Sequence, residues 1–563
     1  MKKLYKYITV VLFASMFLNS CETTDLDLRT SPNDLAADQA DPNLLLNSIQ
    51  LAYESNMVEI SDLGAELTRI DYMFGRNYFN NYPGDTFNEI WARTYSSDFN
   101  TTGSTDPDVG IWTNVEALKS IDAQSDIDYS FHIAVGQTLK AHMLLLLVDY
   151  LGNAVLSQAG NPSEFPAPLL DEGQEVYAGA LALLDEAGAL FATNPQTSGV
   201  TDFFYGGDST KWVKLVNSLK LKAYVTTGNT AAFDAIIAGG NYITATADDF
   251  QFQYGTRELQ PDTRHPDYAD DYDPSGANIY QSNWLMNKML EKDDPRIRYY
   301  FYRQVDGTPG ALDINGDPVA PSEEELACSL ATVPQHYVDG GFVYCSVDDG
   351  YWGRSHGNNE GTPPDGFQRT ASGVYPAAGR YDDNSFGVVG LGLGGGGAGI
   401  EPIILASYID FWRAEMATSA ADKAQFLRAG LTKSIAKVQS FGSLDSNADL
   451  SVGPTEAEVT AYIDDTVAAY NAATGDDKEN ILAEQYWITL FGGATESYNY
   501  YRRTGYPTTL APNWELNPGA FPRTFLYPQN EVVTNPNLTQ KLDNSLQVFW
   551  DTNPAGPAFP PAN

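Results

Sequence analysis

The sequence predicts a mostly α protein in which paired helices carry one long, loop-rich excursion with a few short strands. Apolar residues recur at helical spacing along most of the chain. Between about 240 and 400 that periodicity gives way to segments such as HPDYADDYDPSGANIY and RSHGNNEGTPPDGFQRTASG. No Pro-, Gly- or Ser-rich linker divides residues 41–563, which read as one domain with the excursion inside it.

The chain opens MKKLYKYITVVLFASMFLNSC, a basic stretch followed by an apolar run from Ile8 to Leu18. That run is too short for a mature transmembrane helix and has the form of a secretory signal, residues 1–20. Cys21 stands directly after it, as in a bacterial lipobox, and is the expected lipidated N-terminus. The acidic stretch 21–40 has few large apolar residues and reads as a flexible tether. A formal net charge of −40 repels nucleic acid and anionic polymers and loosely favours a neutral or weakly charged ligand.

The helices follow in order. AVGQTLKAHMLLLLVDYLGN is apolar all round between Met143 and Val148, so it is central and stops at Gly152. In STKWVKLVNSLKLKAYV, Trp212, Leu215, Val216, Leu219 and Ala223 form one stripe, with Asp208 or Ser209 as N-cap. Further helices are expected at 175–192, 402–418, 423–440, 456–472 and 478–491, without a clean 34-residue repeat. QHYVDGGFVYC reads as a hairpin turning at Asp339-Gly340, which would let Cys328 and Cys345 form a disulfide across it.

Three motifs mimic catalytic or metal chemistry. Gly390, Gly392 and Gly395 match G-x-G-x-x-G, but one helix after them leads into another, so they are read as a flexible surface loop entering the helix at Pro402. Gly353-Arg354-Ser355-His356-Gly357 matches a nucleophile elbow, yet NNEGTPPDG cannot promptly start a helix and no later His follows. Asp313, Asn315, Asp317 and Glu324 sit at calcium-loop spacing, but Pro318 occupies the position that needs a positive-φ glycine. That excludes an EF-hand and leaves only a looser calcium site; the five His show no zinc spacing, and no other cofactor is expected.

EQYWITLFGGATESYNYYRRTGYP, residues 484–507, resembles the C-terminal signature of SusD/RagB-like proteins, the outer-membrane nutrient-binding lipoproteins of Bacteroidetes. LDLRTSPN, LKAHMLLLLVDYLGNAVLSQA, FFYGGDSTKWVKLVNSLKLK, DDPRIRYYF, YIDFWRAE and FPRTFLYPQNE resemble further motifs of that family, in the same order. The resemblance implies four tetratricopeptide-like helix pairs, a ligand face built from loops, and no catalysis. It further implies a lipid-anchored protein of the cell surface that passes oligosaccharide, or sometimes peptide, to a SusC-like TonB-dependent transporter. A secreted glycoside hydrolase and a purely structural surface protein are the competing readings.

Sugar rings stack on aromatic faces while their hydroxyls take amides and carboxylates. The segment 71–99 holds nine aromatics in twenty-nine residues, and its first half, GRNYFNNYPGD, is expected to be a loop with little core to hide them. Asn77, Tyr78 and Tyr82 are therefore candidate ligand contacts, joined by the i, i+4 pair Tyr280 and Trp284 and by Tyr351-Trp352 between glycines. Tyr498, Tyr500 and Tyr501 are assigned to the core.

Overall fold

The computed structural model describes residues 40–75, 77–95, 110–306, 332–344, 346–347, 350–359 and 365–554. The described residues from Pro42 onward form one compact unit. Cys21, Cys328, Cys345 and the loose calcium loop lie outside the described residues.

The N-terminal helices are α1 Pro42–Leu67, α2 Tyr78–Asn81, α3 Asn88–Tyr95, α4 Ile111–Asp122, α5 Ser130–Leu151, α6 Gly173–Ala192, α7 Ser209–Thr226 and α8 Thr230–Gly239. The excursion holds the short helices α9 Pro266–Asp271, α10 Asn283–Leu290, α11 Ile297–Tyr300 and α12 Gln335–Gly340. The C-terminal set is α13 Ala406–Met416, α14 Ala420–Ser440, α15 Glu456–Ala472, α16 Asp476–Thr489, α17 Thr495–Thr504 and α18 Gln529–Thr534. Consecutive helices pack as pairs, α4 with α5, α6 with α7, α13 with α14 and α15 with α16, while α17 closes against α1.

The apolar pattern explains α5. Every residue from Phe131 to Leu151 is buried, so a helix long and apolar enough to cross a bilayer is instead the centre of the protein. It ends where the Gly152 N–H bonds the Val148 carbonyl, with Gly152 at φ +86°, a conformation that glycine adopts without Cβ strain. α7 starts on the Asp208 carboxylate, which accepts the Thr210 N–H at 2.9 Å, and buries the stripe from Trp212 to Ala223. α15 begins with a reciprocal capping box between Thr455 and Glu458.

Three expectations are corrected. Residues 400–404 are a strand, not the first turn of a helix: β6 Ile400–Ile404 pairs antiparallel with β1 Phe250–Gln253. Pro402, which has no N–H, is tolerated in this two-stranded ribbon, and the helix starts only at Ala406, whose N–H is capped by Asp249 at 2.8 Å. The glycine run thus leads into a strand rather than following one. Its first half is the expected surface loop, with nothing within 4 Å of a Cβ at Gly390 or Gly392, but its second half is packed: a Cβ at Gly394 would come within 2.2 Å of the Gly379 carbonyl. Finally, residues 335–340 are helical, and the left-handed residue is Gly341, at φ +64°, so no hairpin turns at Asp339-Gly340. The hairpin lies further on, between β3 Ser346–Val347 and β4 Tyr351–Trp352. The remaining ribbon pairs β2 Phe301–Tyr302 with β5 Ala371–Ser372.

A buried ionic network joins the helices. Lys222 on α7 lies 2.8 Å from Asp149 on α5 and 3.0 Å from Glu496 on α17, all essentially without solvent access. Asp149 also accepts from Asn499 at 2.8 Å, from Trp550 at 3.1 Å and from the Tyr177 hydroxyl. Burial pulls the Lys222 ammonium down, but the two carboxylates outweigh it and hold it above the ordinary lysine range. Removing one member leaves buried charge uncompensated. Lys222→Met should therefore cost about 3–5 kcal/mol in denaturant unfolding, and a loss under about 1 kcal/mol would show that the network carries little net stability.

Candidate functional site

The segment after α1 is held by one side chain. Arg69 is buried and sits at φ 64°, a left-handed conformation that costs a non-glycine residue roughly 1–2 kcal/mol. Its guanidinium donates to the carbonyls of Leu67 at 2.6 Å and Ala511 at 3.0 Å, and to the Tyr78 hydroxyl at 3.1 Å. These bonds tie the turn to the C-terminal loops and draw Tyr78 inward. Asn77 then caps α2, its side-chain oxygen accepting the Asn80 N–H at 2.9 Å.

Because residues 78–81 form a helical turn, Tyr78 and Tyr82 share one face, and that face is core. Tyr78 packs edge-on to Phe521 at 5.8 Å and lies 3.3 Å from the His356 ring nitrogen. Tyr82 packs on Phe525 and donates to Glu66 at 3.1 Å. The expectation of a loop without a core to hide its aromatics is thus corrected: 1% and 2% of these two residues are exposed. Phe79, on the opposite face, is 66% exposed, and Phe74 before it is 65% exposed. The sequence signal for this split was available. The tyrosines have hydroxyls that find buried partners, the phenylalanines do not, and 78 and 82 are one helical turn apart.

Of the other candidates, Trp284, Tyr351 and Trp352 are buried and Tyr280 is half-buried. Trp284 is buried on α10, its indole N–H donating to the Thr509 carbonyl at 2.8 Å. Trp352 is buried in β4, its backbone N–H bonded to the Thr370 hydroxyl at 2.8 Å. Tyr351 is also buried, under the Arg303 guanidinium at 4.9 Å, yet it edges an open cleft of about 1050 Å³. Arg298, Tyr462, Glu458 and Asp465 line the same cleft. Tyr280 is half-buried, with Arg354 at 4.3 Å and Arg369 at 3.7 Å from its ring centre and its hydroxyl donating to Asp365 at 2.7 Å. Tyr72 packs edge-on to Tyr280 at 5.6 Å and to Phe74 at 6.5 Å. The structure therefore builds an aromatic file, Tyr280–Tyr72–Phe74, that runs outward from an arginine-backed ring to an exposed one. Asn77, Asn80 and Asn81 are its amide neighbours in the chain.

The elbow motif has no triad geometry among the described residues. Ser355 is buried with its hydroxyl 3.5 Å from the Val343 carbonyl, and His356 turns to Tyr78 instead. Burial first, then the Arg69 charge, hold His356 far below the ordinary histidine range.

The outer face of α1 is acidic. Glu54, Glu59, Asp62 and Glu66 follow one another at helical spacing, and Asp71 lies just beyond. Asp62 is solvent-exposed and Asp71 half-buried, yet the surrounding protein desolvates both. Desolvation, and then neighbouring carboxylates, push Asp71 up to about 8; desolvation alone raises Glu66 to about 7 against the pull of its Tyr82 bond.

A family model described as starch-binding associating with outer membrane, SusD-like_2, matches residues 32–336 and 365–528. The chain belongs to this SusD-like family. No curated protein matches it. Among solved structures, a chain named Bacteroidetes AC2a SusD-like is 17% identical with a TM-score of 0.60, covering 91% of this chain and 100% of its own. A SusD homologue from Bacteroides fragilis is 16% identical with a TM-score of 0.56, covering 88% and 94%. A chitin-binding protein is 18% identical with a TM-score of 0.57, covering 91% and 100%. At these identities the likeness establishes the shared helical fold, and the family places the chain among proteins described by binding and by association with the outer membrane.

The raised Asp71 pKa has a stability consequence. Its ordinary value is 3.8 and its folded value about 8, so folding favours the protonated form. The stability this lends is full below about pH 4 and is lost as pH rises towards 8. Asp71→Asn should raise the melting temperature at pH 8.5 and leave it nearly unchanged at pH 4. An equal shift at both values would show that the carboxyl does not titrate with folding.

Proposed function

We propose that this protein captures oligosaccharide at the cell surface and passes it to a SusC-like TonB-dependent transporter partner, without catalysis. The observation that carries this reading is the pair of exposed rings, Phe74 and Phe79, beside the amides Asn77, Asn80 and Asn81. An apolar ring contacts a pyranose face without needing charge, and amides exchange hydrogen bonds with hydroxyls. The family's description, and the chitin-binding protein among structures of the same fold, support a carbohydrate ligand. Peptide capture in the same transporter-lid role is the second reading, since the arginine-backed Tyr280 can face a carboxylate as readily as a hydroxyl. Of the original candidates, Asn77 and Tyr280 stay in the proposed ligand face and Tyr351 on its cleft. Tyr78, Tyr82, Trp284 and Trp352 support it from beneath.

Each lost ring contact should cost about 1–1.5 kcal/mol, a roughly five- to tenfold weaker Kd. Phe74→Ala and Phe79→Ala should show that loss by calorimetry, against the glycan retained in an affinity-gel screen, with unchanged melting temperatures. Tyr78→Ala and Tyr82→Ala should melt early. Normal binding by both phenylalanine variants would move the ligand face elsewhere, and cleavage of the glycan would replace the reading with an enzyme. For the anchor, Cys21→Ala should release the protein from the membrane fraction; unchanged retention would refute lipidation at that residue.

A further inference from the structure

The cleft that Tyr351 edges is not explained by stacking a sugar. Its two rings, Tyr351 and Tyr462, are 3% and 8% exposed, so neither offers a free face. What reaches solvent there is largely aliphatic. Leu290, Val452, Pro454 and Ile481 are half-buried, and Ala461 and Ala469 are exposed. One wall is a single face of α15, where Glu458, Ala461, Tyr462, Asp465 and Ala469 recur at helical spacing and all line the cleft. A second wall is the turn from α10 into α11, which carries Lys292, Asp293 and Arg298.

The charges of the cleft are used unequally. Its three cations are already taken. Lys292 lies 2.6 Å from Glu484 and Arg303 2.6 Å from Asp382, while Arg298 donates to the Asp382 carbonyl at 3.0 Å and the Asn384 side chain at 2.9 Å. Its exposed carboxylates are not taken. Among the described residues, Asp293, Glu458 and Asp465 have no Lys or Arg ion pair, and all three are exposed. The groove is therefore aliphatic inside and negative at its rim.

That combination suits a polypeptide. Aliphatic side chains can enter the groove while Lys or Arg side chains and backbone N–H groups meet the carboxylates. An anionic lipid surface would find no counter-charge, and a second copy would bring the same acidic excess, −40 in all. A chain end is no better, because its terminal carboxylate would have no spare cation to meet. The α15 wall from Glu458 to Ala469 is about 16 Å long at roughly 1.5 Å per residue, room for about five extended residues.

We propose that this cleft docks an internal stretch of a partner protein, about five residues in which aliphatic and basic side chains alternate. The inference goes beyond glycan capture and uses none of the residues around Phe74 and Phe79.

The test uses two synthetic peptides, Leu-Lys-Leu-Lys-Leu and Leu-Glu-Leu-Glu-Leu, both acetylated and amidated, by calorimetry on the full chain at low salt. The basic peptide should bind about tenfold or more tightly than the acidic one. A chain of charge −40 attracts any basic peptide weakly, so two variants decide where it binds. Ala461→Trp fills the groove from an exposed position and should weaken the basic peptide about tenfold with an unchanged melting temperature. Asp293→Asn combined with Asp465→Asn should cut the preference below about threefold; asparagine tolerates the φ of 50° at position 293. No preference in wild type, or a preference that survives both variants, overturns the proposal. So does tighter binding when the terminal amide is replaced by a carboxylate, because a chain end would then be recognised. Sedimentation with phosphatidylglycerol–phosphatidylcholine vesicles that Ala461→Trp abolishes, while neither peptide binds, would assign the cleft to lipid and overturn it as well. Failure of the glycan reading appears separately, in Phe74→Ala and Phe79→Ala, and Ala461→Trp should leave glycan binding unchanged.

Discussion

The Lys222 ammonium is the point on which the helical frame turns. It sits where α5, α7 and α17 converge, between Asp149 and Glu496, in a space with essentially no water. Asp149 gathers its further partners from distant parts of the chain: Tyr177 on α6, Asn499 on α17 and Trp550 near the C-terminus. The same helix α17 carries Arg502, which stacks on Tyr498 at 3.6 Å and donates to the Arg523 carbonyl at 2.7 Å. Apolar burial alone would let such helices slide; ion pairs and directed hydrogen bonds set their register.

That frame explains how loops become precise. The turn after α1 is held in an unfavourable backbone conformation because Arg69 satisfies three acceptors at once. Its strain is offset by those bonds and by Trp487, whose indole N–H donates to the neighbouring Thr68 carbonyl at 2.9 Å. Tyr78 and Tyr82 then lock into the core, and the ring between them, Phe79, is left outside. The surface aromatic Phe79 stands between two tyrosines fixed in the core, so it needs little ordering when a ligand arrives.

Charge is distributed with a similar division. The excess of acidic residues over the whole chain discourages polyanions at long range. On α1 it gathers along one face, where desolvation raises Asp62 and Glu66 above the ordinary carboxylate range.

Much of the fold was legible in the residues. Continuous apolarity in α5 and the Asp208 cap are local signals, and each appears where the sequence places it. So does the core position of Tyr498, Tyr500 and Tyr501, all buried. The family was legible too, because its motifs occur in order along the chain. Residues 400–404 were not, since a short apolar run with a proline fits a helix start as well as an edge ribbon, and only its distant partner β1 decides between them. The same holds for the site. Composition showed that residues 71–99 are rich in aromatics. Which rings face solvent depended on a helical turn of four residues, on a buried arginine and on Phe521 and Phe525 arriving from the far end of the chain. Local periodicity is written in neighbouring residues, whereas exposure is settled by whatever the rest of the fold packs against them.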